Sequence, residues 1–265
     1  YNFINRFAQP KEHTSAWATV SISDSLAYAI APVLAVYLMN QNLRFPLYVA
    51  IFIVLFSACL FYSLMGIIGK RHQERALPEV PKRSFLKEFK ILRTLTKRLW
   101  MLIVFCFVVT LIDVSMWTVG VLYMENLRAT SNLANLFLTV YGIPPLFVGL
   151  IAGKLAKESG KKKLAFTSAG VAGVCLFFIG VSSSVLSVLL FVFFMSMFYS
   201  ITTIMVSAVF EDFVARTVNA RNDIVSVYQF TINLSYTLGP ILLGTLVKYY
   251  GFGSTFVFLA VTVIL

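Results

Sequence analysis

Apolar residues in this chain come in long runs rather than in the alternating or one-faced patterns of half-buried elements. The runs predict helices over 16–39, 45–68, 99–124, 133–153, 163–182, 185–209, 223–247 and 253–265. A helix of about 20 residues rises about 30 Å, the thickness of a bilayer's hydrocarbon core. The expected fold class is therefore all-α: a polytopic membrane helix bundle with about eight transmembrane helices. Turn signals at Asn40–Asn42, Ser131–Asn132 and Ser182–Ser184 separate the runs. One long polar stretch, 69–98, divides the first two spans from the other six. Within it Phe85, Leu86, Phe89, Leu92 and Leu95 stand at helical spacing among lysines and arginines, after Pro78 and Pro81. That pattern predicts a basic amphipathic helix over 84–98 on the inner membrane face.

Composition agrees with the patterning. Hydrophobic residues make up 59% of the 265 and charged ones 12%, with a mean hydropathy of +0.84. A soluble domain carries roughly 25% charged residues, so a water-facing surface could not be covered here. No secretory signal pattern opens the chain. It begins at Tyr1 rather than a methionine and ends at Leu265 inside an apolar run, so a piece of a longer product is expected. Cys59, Cys106 and Cys175 each sit within an apolar run, without disulfide or metal spacing. No cofactor, metal or catalytic residue is expected.

Charge then sets orientation. With the start on the cytoplasmic side, the inside segments hold Arg6 and Lys11, ten basic residues from Lys70 to Arg98, then Lys154, Lys157, Lys161–Lys163, Arg216 and Arg221. Outside loops hold only Arg44, Arg128 and Lys248. This is the positive-inside pattern, and it places the 69–98 loop in the cytoplasm of a cell-membrane protein. It also accounts for the net charge of +11. Nucleic-acid binding is excluded, because the basic residues are confined to short loops beside membrane helices.

An internal repeat is visible. A shift of 208 positions sets Leu26, Tyr28, Pro32, Leu34 and Leu38 against Leu234, Tyr236, Pro240, Leu242 and Leu246. Ala31-Pro32 then falls on Gly239-Pro240. Parallel repeats of this kind build transporters from two halves around a central site. Ala27-x-x-x-Ala31-Pro32 in the first span and Ser235-x-x-x-Gly239-Pro240 in the seventh resemble a small-residue-plus-proline motif. Small residues four apart let helices approach closely, and proline permits a bend. Gly153-Lys-Leu-Ala-Lys-Glu-Ser-Gly160-Lys161-Lys162 resembles a signature loop, Gly-x-Leu-Ala-Asp-x-x-Gly-Arg/Lys-Arg/Lys, with Lys157 in the usual acid position.

On these features the chain resembles the major facilitator superfamily (MFS), over its fifth to twelfth helices. The resemblance implies twelve helices in all. Residues 1–68 would end the N-terminal bundle, 69–98 would form the cytoplasmic linker, and 99–265 the C-terminal six-helix bundle. It further implies a monomeric carrier of a small solute working by alternating access, with a proton as the expected coupling ion. The small-residue motif points to the antiporter branch and to efflux, although alanines replace that branch's glycines in the first span.

Charge inside hydrocarbon costs roughly 2.5–3.5 kcal/mol on insertion scales. Only two of the eleven acids lie well inside spans, Asp24 and Asp113. Asp24 lies near the inner surface beside Ser21 and Ser25, where local capping explains it. Asp113 lies near the midplane, with Trp117 one turn on, and is the candidate proton-titrating or cation-pairing group with Trp117 as a stacking wall. A packing acid bonded to a neighbouring helix is the alternative. In the sixth span Tyr199 and Thr203 share a face and are candidate substrate contacts, with intrahelical back-bonding as the other explanation. Gln229, Asn233 and Tyr236 share a face of the seventh span, as substrate contacts or as interhelical glue. Asp212 and Arg216, one turn apart at the sixth span's inner end, are a candidate gate pair or a solvated surface pair. Tyr141-Gly142-Ile143-Pro144-Pro145 predicts a bend. Two other function classes stay open: a membrane-embedded enzyme acting on lipid-linked substrates, and a non-transporting receptor or scaffold of the same fold.

Overall fold

A computed structural model describes residues 41–72, 85–128, 132–149, 151, 160–216 and 221–265, with isolated positions between 23 and 39. Pro32, Asp24 and Gly153, with most of the first span and of the signature loop, lie outside the described residues. Among those described, the chain is helical and has no strand. Five helices among the described residues are long and apolar enough to cross a membrane.

By packing, the chain divides into two units, Ala31–Phe89 and Lys90–Leu265 together with Tyr1–Ile30. The first contains α1, Phe45–His72. Over Phe45–Leu64 this helix has a mean hydropathy of 2.4 and apolar side chains exposed on all sides. An all-round apolar helix is stable in lipid and not in water.

The larger unit holds the remaining spans. Helix α2, Phe85–Ser115, runs on through a π-helical turn, Met116–Gly120, into α3, Val121–Arg128. The separate amphipathic helix expected over 84–98 is thus the first part of one unbroken helix that continues into the span. The reason is local: no proline or glycine occurs anywhere between Phe85 and Ser115 to end the helix. After a 3₁₀ turn, Asn132–Leu136, comes α4, Phe137–Gly142, which bends at Ile143 before residues 144–149 turn helically again. The bend falls where the Gly-Ile-Pro-Pro run predicts it. Helices α5, Lys161–Val181, and α6, Val185–Arg216, pack against each other.

The last helical stretch, α7, is Arg221–Ile264. It is two spans, because Gly251 at φ 81°, ψ 172° turns the chain between them. This matches the break expected between 247 and 253. The second of these spans lies on α5 at van der Waals limit: a Cβ on Gly253 would stand 2.5 Å from the Gly180 carbonyl oxygen. Two apolar clusters form the core. One gathers Ile112, Val114, Phe137, Leu176, Val188 and Phe256, the other Leu99, Ala165, Met205, Phe210 and Ile224.

Candidate functional site: a clasped carboxylate beside a tyrosine-lined cavity

Asp113 sits near the C-terminal end of α2, 9% exposed, among Ile112 and Val114, which are fully buried. Both carboxylate oxygens are held. The Tyr141 hydroxyl, from α4, donates to Oδ1. The Tyr236 hydroxyl, from α7, donates to Oδ2. Trp117, one turn on, meets the Tyr141 ring edge-on, with centroids 6.2 Å apart. A charge removed from water must be met by such partners. Three helices therefore converge on one acid.

Local sequence explains why these side chains meet. Trp117 lies in the π-helical turn, a wide turn of the kind found at functional sites. Hydroxyls beside it bond back to their own helix, Ser115 to the Ile112 carbonyl at 2.6 Å and Thr118 to that of Val114 at 2.6 Å. Tyr141 and Tyr236 each stand four residues before a proline, Pro145 and Pro240. Proline has no N–H, so each tyrosine carbonyl loses its helical donor. For Tyr141 the Ser196 hydroxyl of α6 takes that place, at 2.5 Å. Helix α7 is brought against α2 by its small residues: Ser235 is fully buried and bonds the Phe107 carbonyl at 3.3 Å. A Cβ on Gly239 would stand 2.7 Å from Val114. The Ser235-x-x-x-Gly239 spacing thus produces the close approach expected of it.

Next to the acid is a cavity of about 230 Å³ between α2, α6 and α7. Tyr199, Thr203, Tyr228 and Tyr236 line it, with Thr110 and Cys106 from α2. Tyr199 and Thr203 thus share its wall, as their common face suggested, while the Thr203 hydroxyl bonds the Ser200 carbonyl at 3.0 Å. The face that α7 turns to the cavity is Tyr228, Ile232 and Tyr236. Gln229, half-buried, and Asn233, exposed, are each one residue round from it and do not line the cavity.

A second cluster lies at the other end of α6. Lys161, the first residue of α5, pairs with Asp212 at 2.7 Å. Lys162 stands 5.7 Å from the Phe213 ring centre. Gly160, at φ 77°, turns the chain into α5. Asp212 therefore has its partner on a neighbouring helix, and Arg216, the last residue of α6, has a side chain outside the description.

Of the candidates singled out in the sequence, the structure brings Asp113, Trp117, Tyr199, Thr203 and Tyr236 close together, with Tyr141 and Ser196, which the sequence reading did not connect to them. The available signal was the repeated Tyr-x-x-x-Pro spacing at Tyr141 and Tyr236, and again at Tyr28 and Pro32. Residues 103–265 match the family model described as Major Facilitator Superfamily. No curated protein matches the chain.

Proposed function

Because the chain belongs to the major facilitator superfamily, we propose that this multi-pass membrane transporter is a secondary active carrier coupled to protons through Asp113. It moves a small solute by alternating access: two helix bundles rock around a midplane site, and an ion gradient drives the cycle. No covalent step is involved and no cofactor is needed. The observation that carries this reading is the buried Asp113, clasped by phenols from two other helices at the edge of a cavity. A buried acid with exchangeable partners is a natural proton carrier, since taking up a proton changes which hydroxyl donates and which accepts.

In this scheme Trp117, Tyr199 and Thr203 belong to the solute pathway, with Gln229 and Asn233 nearer its margin. The Lys161–Asp212 pair, with Gly153, Gly160 and Arg216, forms the inner gate. Pro32, Gly239 and Pro240 give the helix contacts that rock. The 69–98 loop lies on the cytoplasmic side of the cell membrane, between the end of one bundle (1–68) and the six helices of the other (99–265). The protein acts as a monomer, as an antiporter that exports its solute. Proton-driven uptake into vesicles, with and without Asp113→Asn, tests the scheme. The variant is expected to lose coupling to the pH gradient. Unchanged coupling would remove Asp113 from the mechanism.

A further inference from the structure

A second cavity, of about 300 Å³, lies at the Lys161–Asp212 end of the bundle, between the start of α5 and the end of α6. Three consecutive lysines, Lys161, Lys162 and Lys163, line it together with Asp212 and Phe213. Two of the three are held in place. Lys161 is fixed by its ion pair with Asp212 at 2.7 Å, and Lys162 lies 5.7 Å from the centre of the Phe213 ring. Three cations against one carboxylate leave the lining with a net charge of two positive. The gathering of basic residues in inner loops explains the sign of this charge. It does not explain why the cations surround a hollow instead of spreading over a surface.

The surface that continues from the hollow indicates what fills it. The exposed side of α5 begins at Lys162 and Lys163 and runs on through Phe166, Val171, Val174 and Phe178. On this side the Thr167 hydroxyl bonds the Lys163 carbonyl at 2.9 Å, so it adds no unpaired polar group. Phe166 is 61% exposed and lies against Phe105 of α2, with ring centres 4.5 Å apart. One turn on, Gly170 leaves a notch, because a Cβ there would meet nothing within 4 Å. A cationic hollow at the end of a notched apolar stripe complements a molecule with an anionic head and a hydrocarbon tail. A soluble anion would fill the hollow and leave the stripe unused. An acidic peptide would bring backbone N–H and C=O groups against a stripe that cannot pair them.

Going beyond the transporter reading, and needing only the membrane bundle, we infer that this face is a binding site for an anionic phospholipid. The head-group phosphate sits in the lysine pocket, and one acyl chain lies along Phe166 and the Gly170 notch. Basic pockets between membrane helices bind anionic head groups in this way. Lys162 and Lys163 meet the phosphate, while Lys161, engaged by Asp212, offsets that carboxylate. Phosphatidylglycerol has the required chemistry, a phosphate with no cation of its own. Phosphatidylcholine carries a quaternary ammonium toward a lining that is already positive, which opposes its binding.

The test is native mass spectrometry of the purified protein in detergent micelles, titrated with phosphatidylglycerol or with phosphatidylcholine of the same chains. The bound-lipid populations give a Kd for each. Phosphatidylglycerol is expected to bind at least about tenfold more tightly. A lysine beside an anionic lipid contributes about fivefold, so Lys162→Gln with Lys163→Gln should weaken phosphatidylglycerol about twentyfold or more. The paired arginine substitutions, Lys162→Arg with Lys163→Arg, should keep the affinity. Lys154→Gln with Lys157→Gln removes the same charge from the same loop, and should change it less than about twofold. Gly170→Leu, which fills the notch, should weaken phosphatidylglycerol at least about threefold. Equal binding of the two lipids, or equal losses in the two glutamine pairs, would show a diffuse basic surface and overturn the inference. Unchanged affinity in Gly170→Leu would overturn it too. Displacement of the lipid by dissolved glycerol 3-phosphate at equal concentration would assign the pocket to a soluble phosphate and sink the phospholipid. The transporter reading stands or falls separately, on uptake with and without Asp113→Asn. Lipid selectivity in a protein that moves no solute would sink that reading alone, and uptake without lipid selectivity would sink the lipid site alone.

Discussion

Ser196→Ala isolates the contact that holds the bend in α4. The Tyr141 carbonyl would ordinarily accept from the N–H of residue 145, but that residue is proline, and the Ser196 hydroxyl donates to it instead from across the bundle at 2.5 Å. Ser196 is fully buried, so water cannot replace it. An unsatisfied buried carbonyl costs about 1–3 kcal/mol in proteins generally. Hydrogen bonds between membrane helices measure lower, about 0.6 kcal/mol on average and about 1.7 at most, because the unfolded chain in lipid also finds partners. A loss of about 1–2 kcal/mol is therefore expected for Ser196→Ala. Pro145→Ala restores the missing N–H, and in that background Ser196→Ala should cost less than about 0.5 kcal/mol. The assay is unfolding by dodecyl sulfate in mixed micelles, followed by tryptophan emission. With Trp17 and Trp100 replaced by phenylalanine in every variant, the remaining Trp117, which lies against the Tyr141 ring, reports the site directly. Equal costs in the two backgrounds would show that Ser196 does not substitute for the absent amide, and the account of the bend would fail.

Other perturbations have equally definite outcomes. Lys161 and Asp212 have side chains 38% and 46% exposed, so removing either should cost no more than about 1 kcal/mol. Swapping them, Lys161→Asp with Asp212→Lys, should recover most of the loss in a double-mutant cycle of thermal stability. Gly253→Ala places a methyl 2.5 Å from the Gly180 carbonyl oxygen, forcing α5 and the last span apart at about 1–3 kcal/mol. Gly149→Ala, where nothing lies within 4 Å, is the control and should leave the melting temperature nearly unchanged. Gly251→Ala must place an L-residue at φ 81°, ψ 172°, a region essentially confined to glycine, which costs about 1–3 kcal/mol and should lower the unfolding midpoint without altering the site.

Much of the architecture is legible in the residue order because a bilayer imposes a simple rule. Run length gives the spans, since apolar stretches must cover the hydrocarbon and every backbone group must be paired within a helix. The turn at Gly251 and the bend after Gly142 follow from residue types that end or bend helices. Asp113 stands out because an acid in hydrocarbon is expensive. Where local rules decide, in the unbroken passage from Phe85 into the span, the structure differs from the expected surface helix because nothing in the sequence stops the helix there.

What the order of residues could not give is which faces meet. In a water-soluble helix a polar stripe marks the outside, but a membrane helix is apolar toward lipid and toward its neighbours alike. The partners of Asp113 lie 28 and 123 residues away, and that of Asp212 lies 51 residues away. Gln229 and Asn233 were equal candidates with Tyr236 until helix rotation turned the Tyr228–Ile232–Tyr236 face to the cavity. The chain by itself determined that these helices cross a membrane and that one acid must be sheltered among them. Only the packing of small residues, Gly239 on Val114 and Gly253 on Gly180, set the rotations that decide how it is sheltered.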